Sequence, residues 1–225
     1  MTGGKPLDGA LRAALPRFRD RIARLTWGEE PVYADSVPTV HFGPVGVAPP
    51  PGAFLQAPAE GETALRAAVT EALAGCARIA DLFAGCGTFA LPLAARAPVH
   101  AVEGDAALTG ALSHAARHAQ GVKPVTVETR DLFRRPLLPD ELRGFDGIVI
   151  DPPRAGAEAQ VAQIARAQVP RIAMVSCNPV TFARDAATLT QAGYRLNWVQ
   201  PVDQFRWSPH VELAASLSLP HLSGN

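Results

Sequence analysis

A chain of 225 residues and 23.7 kDa has room for one α/β domain with some chain to spare, whereas two full domains would be tight. With 48% hydrophobic and 19% charged residues it can bury a sizeable core, which excludes wholesale disorder, and no apolar stretch approaches the roughly 20 residues that span a bilayer. Lysine plus arginine equals aspartate plus glutamate at 21 each, which excludes a basic footprint spread over the whole chain.

The positive charge is instead local. Lys5, Arg12, Arg17, Arg19, Arg21 and Arg24 stand against only Asp8 and Asp20, so a polyanion would be met at the N-terminal end. Residues 1–5 lead into no apolar signal core, and Cys76, Cys86 and Cys177 form neither a CxxC pair nor a zinc spacing, so reduced thiols and a cytoplasmic location are expected. Leu7, Leu11, Leu15, Phe18, Ile22 and Leu25 recur every three or four residues, which predicts a helical stripe that Pro16 kinks or restarts. Seven prolines in the 28 residues from Pro31 to Pro58 then exclude continuous helix and favour short extended pieces and turns, as in a boundary or linker.

From about residue 60 onward, apolar β-rich runs alternate with alanine-rich ones. Strands are predicted near 77–84, 99–104, 124–130, 145–151, 171–177, 194–201 and 211–219, with helices over 62–74, 88–97, 105–119, 158–168 and 179–192. That alternation implies a mostly parallel sheet with helices on both faces. The last two strands leave no room for a crossover helix, so the final strand is expected to be antiparallel.

Candidate site residues fall where strands end. The run DLFAGCGTFALPLA (81–94) puts Asp81 at a strand end, followed by Gly85-x-Gly87 and a helix. Gly85, Gly87 and Ala90 satisfy G-x-G-x-x-A, and Glu103 ends the next strand where ribose hydroxyls would lie. A plain packing turn is the bland alternative. Asp131 ends the third strand, where it could hold an adenine amino group or be only a solvated loop acid. In IVIDPPRAG (148–156) two prolines fix the backbone behind Asp151, and Arg154 is either a partner for one of these acids or a phosphate contact. Four strand-end acids suit a cationic ligand such as a sulfonium better than a pyrophosphate.

Cys177 precedes Asn178-Pro179, a cap and first-turn residue, and a thiol at a helix N-terminus is expected to have a lowered pKa and nucleophilic character. Cys76 has no such activation, and Cys86 reads as a small residue that fits its turn. In DQFRWSPHVELAASL (203–217), Glu212 enters an apolar strand, where burial would raise its pKa toward that of a useful base. His210 is equally readable as a hydrogen-bonded structural histidine or a catalytic one.

Seven motifs in this order, namely Phe54-Leu55-Gln56, DLFAGCGTF, Val102-Glu103, Asp131, DPPR, SCNP and HVE, resemble the S-adenosylmethionine-dependent RNA uracil-5-methyltransferases, which make 5-methyluridine in ribosomal and transfer RNA. The resemblance runs from about residue 50 to the end. It implies a class I methyltransferase, Rossmann-like fold over 51–225, with residues 1–50 a shortened remnant of a substrate-binding or RNA-binding domain. It implies S-adenosylmethionine as cofactor, held at Gln56, Phe83, Thr88, Glu103, Asp131 and Asp151, with Cys177 as nucleophile and Glu212 as proton acceptor. Phe205 or Trp207 could stack on a flipped uracil or merely fill the core. The sequence at 206–209 departs from the family's proline and threonine pattern, which favours ribosomal over transfer RNA. No iron-sulfur cluster or membrane is expected as a partner. The rivals are an amino-group methyltransferase using Asp-Pro-Pro, a non-catalytic remnant that binds S-adenosylmethionine or RNA, and a nicotinamide-dependent dehydrogenase.

Overall fold

Segments such as IADL, GIVI and RIAMVS are apolar at successive positions, the pattern of strands covered on both sides, and in the computed structural model they lie at the centre of a seven-stranded sheet. The structure describes residues 4–28, 30–55, 58–204 and 210–220. In chain order the elements are α1 (Gly9–Ala14), β1 (Arg24–Trp27), β2 (Glu30–Ala34), β3 (Val40–Phe42), β4 (Val45–Val47), α2 (Ala59–Ala72), β5 (Ile79–Leu82) and α3 (Ala90–Leu93). There follow β6 (Val99–Glu103), α4 (Ala106–His118), β7 (Val125–Thr129), α5 (Pro139–Leu142), β8 (Gly147–Ile150), α6 (Glu158–Ala167), β9 (Arg171–Ser176), α7 (Pro179–Gln191), β10 (Arg195–Val202) and β11 (Glu212–Ser218).

The sheet order is β10-β11-β9-β8-β5-β6-β7, parallel from β9 to β7, with β11 antiparallel to both β9 and β10. Period-2 alternation divides each central strand between two cores. Val149, Ala173 and Val175 pack with Leu65, Val69, Leu91 and Leu112 from α2, α3 and α4, whereas Ile148, Ile150, Ile172 and Met174 pack with Leu142, Ile164 and Leu189 from α5, α6 and α7. The chain starts the sheet at β5, grows outward through β6 and β7, and returns to the other side of β5 with β8. Such a reversal opens a crevice at the carboxyl ends of β5 and β8. Among the described residues, no helix is long and apolar enough to cross a membrane.

Two expectations fail. The stripe from Leu7 to Leu25 is not one helix: α1 runs into a 3-10 turn at Leu15–Phe18, and Leu25 lies in the antiparallel pair β1–β2. Leu15, Leu25 and Tyr33 form a small core with Leu7, Leu11, Phe18 and Trp27, so the helical spacing was produced by a helix, a 3-10 turn and a strand pair sharing one core. The helix expected over 88–97 shrinks to the four residues of α3, because Pro92 cannot donate a backbone hydrogen bond within it. The proline-rich region does form short extended pieces, and Phe42, Val45 and Val47 of the β3–β4 hairpin are buried in the core beside α4.

The Gly turn after β5 is fixed by contact rather than by space alone. Gly87 has φ +104°, and a Cβ there would lie 2.6 Å from Leu112 and 2.9 Å from Leu91, whereas Gly85, at φ +56°, has open space where a Cβ would point. Gly87→Ala is therefore expected to cost about 2–3 kcal/mol and Gly85→Ala about 1 kcal/mol, from strain plus overpacking against strain alone. Denaturant unfolding of both variants checks this. Equal losses would show that the turn is not packed as described.

Candidate functional site

A cleft of about 520 Å³ opens at the crevice, lined by Phe54, Phe83, Gly85, Thr88, Glu103, Asp131, Asp151, Arg154, Cys177 and Glu212 among others. This size is typical of small-molecule sites. Of the expected contacts, Phe83, Gly85, Thr88, Glu103, Asp131 and Asp151 line the cleft together with the proposed nucleophile and base. Asp81 lies beneath it, with no exposed surface, and Gly87 serves packing rather than the cleft wall. Gln56, Phe205 and Trp207 lie outside the described residues.

Each side of the cleft is built by local structure. Glu103, at the end of β6, accepts the Gly85 amide at 3.0 Å and the Asp105 amide at 2.9 Å, so it braces the Gly turn from the neighbouring strand. Asp131 accepts the Phe133 amide at 3.0 Å and the Arg134 amide at 3.2 Å, which turns the chain sharply after β7. Phe83 adopts φ +64°, a strained conformation for a bulky residue, and its ring meets Phe133 at 5.3 Å. Phe133 and Leu108 were not picked out from sequence. The only signal for Phe133 was its position just past the strand-end acid Asp131.

The acids at the centre are strongly coupled. Asp81 is fully buried, neither of its carboxylate oxygens has a well-formed hydrogen bond among the described residues, and the Ala90 N–H dipole only partly favours its charged form. Burial, then Asp151 and Glu103, hold its pKa well above the ordinary carboxylate value. Asp151 keeps an edge on the cleft while its carboxyl is enclosed by protein, and burial plus Glu212 push it up to about 7. Glu212, only 3% exposed, is also raised by burial, against the pull of Arg154. The direction expected for Glu212 therefore holds.

For Cys177 the expected direction is reversed. The helix start is as foreseen, with the Asn178 side chain accepting the Val180 amide at 3.0 Å and Pro179 in the first turn. Yet burial, Glu212 and Asp151 raise the thiol pKa, and Arg154 is the side chain that opposes them. Burial is the largest of these effects, and the two carboxylates brought in from elsewhere in the chain add to it. Cys76 is pushed up to about 11 by burial, and the three cysteines are free.

The cleft suits a ligand that carries positive charge. A buried carboxylate with only the Ala90 amide to favour its charge among the described residues, a second one enclosed beside it and a third at the cleft edge would repel a pyrophosphate and attract an ammonium or sulfonium. The four-residue α3 offers little helix dipole for a phosphate. The N-terminal cations are less available than the sequence alone implied, since Lys5 pairs with Asp8, Arg12 with Glu30 and Arg19 with Asp35.

Residues 126–219 match the model of a family described as tRNA (uracil-5-)-methyltransferase. The chain is 57% identical over 199 residues to an uncharacterised RNA methyltransferase of Mesorhizobium japonicum, covering 88% of this chain and 48% of that protein. It is 37% identical over 225 residues to the 23S rRNA (uracil(1939)-C(5))-methyltransferase of Pseudomonas putida, covering 93% and 49% respectively. The chain thus spans about half the length of the curated relatives it matches. Among solved structures it is similar to the Pyrococcus abyssi tRNA (uracil-54, C5)-methyltransferase in complex with S-adenosyl-L-homocysteine, at TM-score 0.71 and 29% identity, over 82% of this chain and 45% of that one.

Proposed function

The chain belongs to the RNA uracil-5-methyltransferase family, and from that membership we propose that it transfers a methyl group from S-adenosylmethionine to carbon 5 of a uridine in RNA. The observation that carries this reading is the convergence of Cys177, Glu212 and Asp151 on one cleft. An amino-group methyltransferase has no use for the cysteine. Ribosomal RNA is the proposed substrate class, supported by the greater likeness to the Pseudomonas protein than to the Pyrococcus one.

The residues present fit the cofactor. Asp151 offers a carboxylate at the cleft for its cationic groups with the buried Asp81 charge beneath it, Glu103 a carboxylate at the end of β6 for ribose hydroxyls, and Gly85 bare backbone at the cleft wall. Phe83, Thr88 and Asp131 complete the proposed cofactor wall. When bound there, S-adenosylmethionine supplies an electrophilic methyl carbon, which the activated carbon 5 of uracil accepts.

Cys177 makes that activation. Its thiolate adds to carbon 6 of uracil, forming a carbon-sulfur bond while the π electrons of the carbon 5–carbon 6 bond pass toward the carbon 4 carbonyl as an enolate. After methylation, Glu212 takes the proton left on carbon 5. The electrons of that carbon-hydrogen bond rebuild the ring double bond, and the carbon-sulfur bond breaks to release the Cys177 thiolate. A base with a raised pKa that is enclosed yet ionised at the moment of abstraction suits this last step, and Arg154 helps to keep Glu212 ionised.

Incubation with labelled S-adenosylmethionine and ribosomal RNA from cells lacking the modification, followed by nucleoside analysis, tests the reading. Labelled 5-methyluridine is expected. Labelled methyladenosine or methylguanosine would instead favour the amino-group reading, and no product with bound donor the non-catalytic one.

Donor binding should also depend on pH in a definite direction. Because Asp151 holds its proton up to about pH 7 and Asp81 is raised as well, a cationic ligand must displace protons in weakly acidic solution. Affinity is expected to fall as pH drops below about 7, with net proton release on binding. Calorimetry in buffers of different ionisation enthalpy reads this directly. Proton uptake would contradict the assignment of these acids to the donor.

A further inference from the structure

Arg154 is held at both ends. Its carbonyl accepts the Asn178 side-chain amide at 2.9 Å and the Thr181 hydroxyl at 3.3 Å, which ties the DPPR turn to the start of α7 directly after Cys177. Its guanidinium Nη2 lies 2.8 Å from His210 Nδ1, two residues before Glu212. Arginine can only donate, so His210 Nδ1 must be the acceptor and the ring must be neutral with its proton on Nε2. The ion pairs among the described residues include none at Arg154, although Asp151 and Glu212 line the same cleft.

That choice of partner matters electrostatically. A guanidinium bonded to a carboxylate presents almost no net field to a third group, whereas one bonded to a neutral imidazole keeps its whole charge. We propose that His210 is a positioning residue, whose neutral imidazole holds the Arg154 guanidinium over the cleft that Cys177 lines, with its charge not neutralised by a carboxylate, so that the Cys177 thiolate can form beside two acids. The titratable and charged groups acting on Cys177 are Glu212 and Asp151, which oppose the thiolate, and Arg154, which favours it. Without His210 the guanidinium is free to fall onto Glu212 or Asp151, and the counterweight is lost. The importance attached to the thiolate rests on the reading of Cys177 as nucleophile, whereas the geometry does not.

The test reads the thiol itself, in protein without RNA or donor. The rate of Cys177 alkylation by iodoacetamide is followed from about pH 7 to about pH 11.5, with peptide mass spectrometry separating it from Cys76 and Cys86. His210→Leu is expected to move the alkylation midpoint up by about one pH unit, and Arg154→Met by about the same amount. The double variant should move no further than either single one, since both remove the same charge from the same place. His210→Asn, whose side-chain oxygen can accept from the guanidinium, should recover most of the shift, and with His210→Ala it carries the comparison if the leucine variant does not fold. A midpoint unchanged in the His210 variants, or additive shifts in the double variant, would overturn the proposal. A shifted midpoint in a protein that forms no 5-methyluridine would leave the pairing intact and sink only the methyl-transfer reading.

Discussion

Cys177→Ala is expected to form neither a covalent protein-RNA complex nor product, while Glu212→Gln is expected to form the complex and then fail to release it. In the proposed reaction the two groups act on opposite sides of methyl transfer. Without the thiolate, carbon 5 of uracil never becomes nucleophilic, so nothing downstream can occur. With the amide in place of Glu212, addition and methylation remain available, but the carbon-5 proton stays and the carbon-sulfur bond cannot break. Turnover by Glu212→Gln should fall by roughly 10² to 10⁴, the usual contribution of a positioned base. Denaturing gels of each variant with RNA and methyl-labelled donor check both outcomes. A labelled, slowly migrating band should accumulate for Glu212→Gln and be absent for Cys177→Ala. Normal turnover by Glu212→Gln, or residual methylation by Cys177→Ala, would remove these residues from their roles.

Asp81→Asn should make the free protein more stable and its donor binding much weaker. In the folded chain Asp81 holds its proton more tightly than in the unfolded chain, because it is fully buried beside Asp151 and Glu103. Its stabilising contribution is therefore complete below the ordinary carboxylate range and is lost as pH rises toward the elevated folded pKa. An amide of the same shape has no charge to expose to that cost. The gain in thermal midpoint should accordingly be absent near pH 4 and grow to about 3 °C or more by pH 8. Loss of the buried charge beneath the cleft should weaken donor binding by roughly tenfold to a hundredfold. Unfolding curves across pH, with donor titrations on the same samples, decide the point. Destabilisation at every pH together with unchanged donor affinity would make Asp81 a structural residue.

Much of this architecture is legible in the sequence, for identifiable reasons. Six strands of the large sheet lie inside the predicted runs and β10 overruns its run by one residue; the central β5, β8 and β9 are legible because they place apolar residues at successive positions between turn formers, and Asn178-Pro179 marks the start of α7 by its chemistry alone. The antiparallel last strand follows from the short connection between β10 and β11. What sequence could not supply is convergence in space. Leu7 through Leu25 mimic one helix because a helix, a 3-10 turn and a strand contribute to one small core. The Cys177 thiol is raised rather than lowered chiefly because folding buries it, and then because Glu212 and Asp151 arrive beside it from 35 residues after and 26 before. The bond between Arg154 and His210, 56 residues apart, has no signature in spacing at all.

In the proposed reaction carbon 5 of a uridine loses a proton as it gains a methyl group. The most direct measurement is tritium release from RNA carrying tritium at carbon 5 of its uridines, followed alongside methyl incorporation from S-adenosylmethionine labelled with carbon-14. One tritium released to water for each methyl group incorporated is the expected result, with release abolished in Cys177→Ala. Methyl incorporation without tritium release would place the reaction at a nitrogen or oxygen and contradict the roles assigned to Cys177 and Glu212.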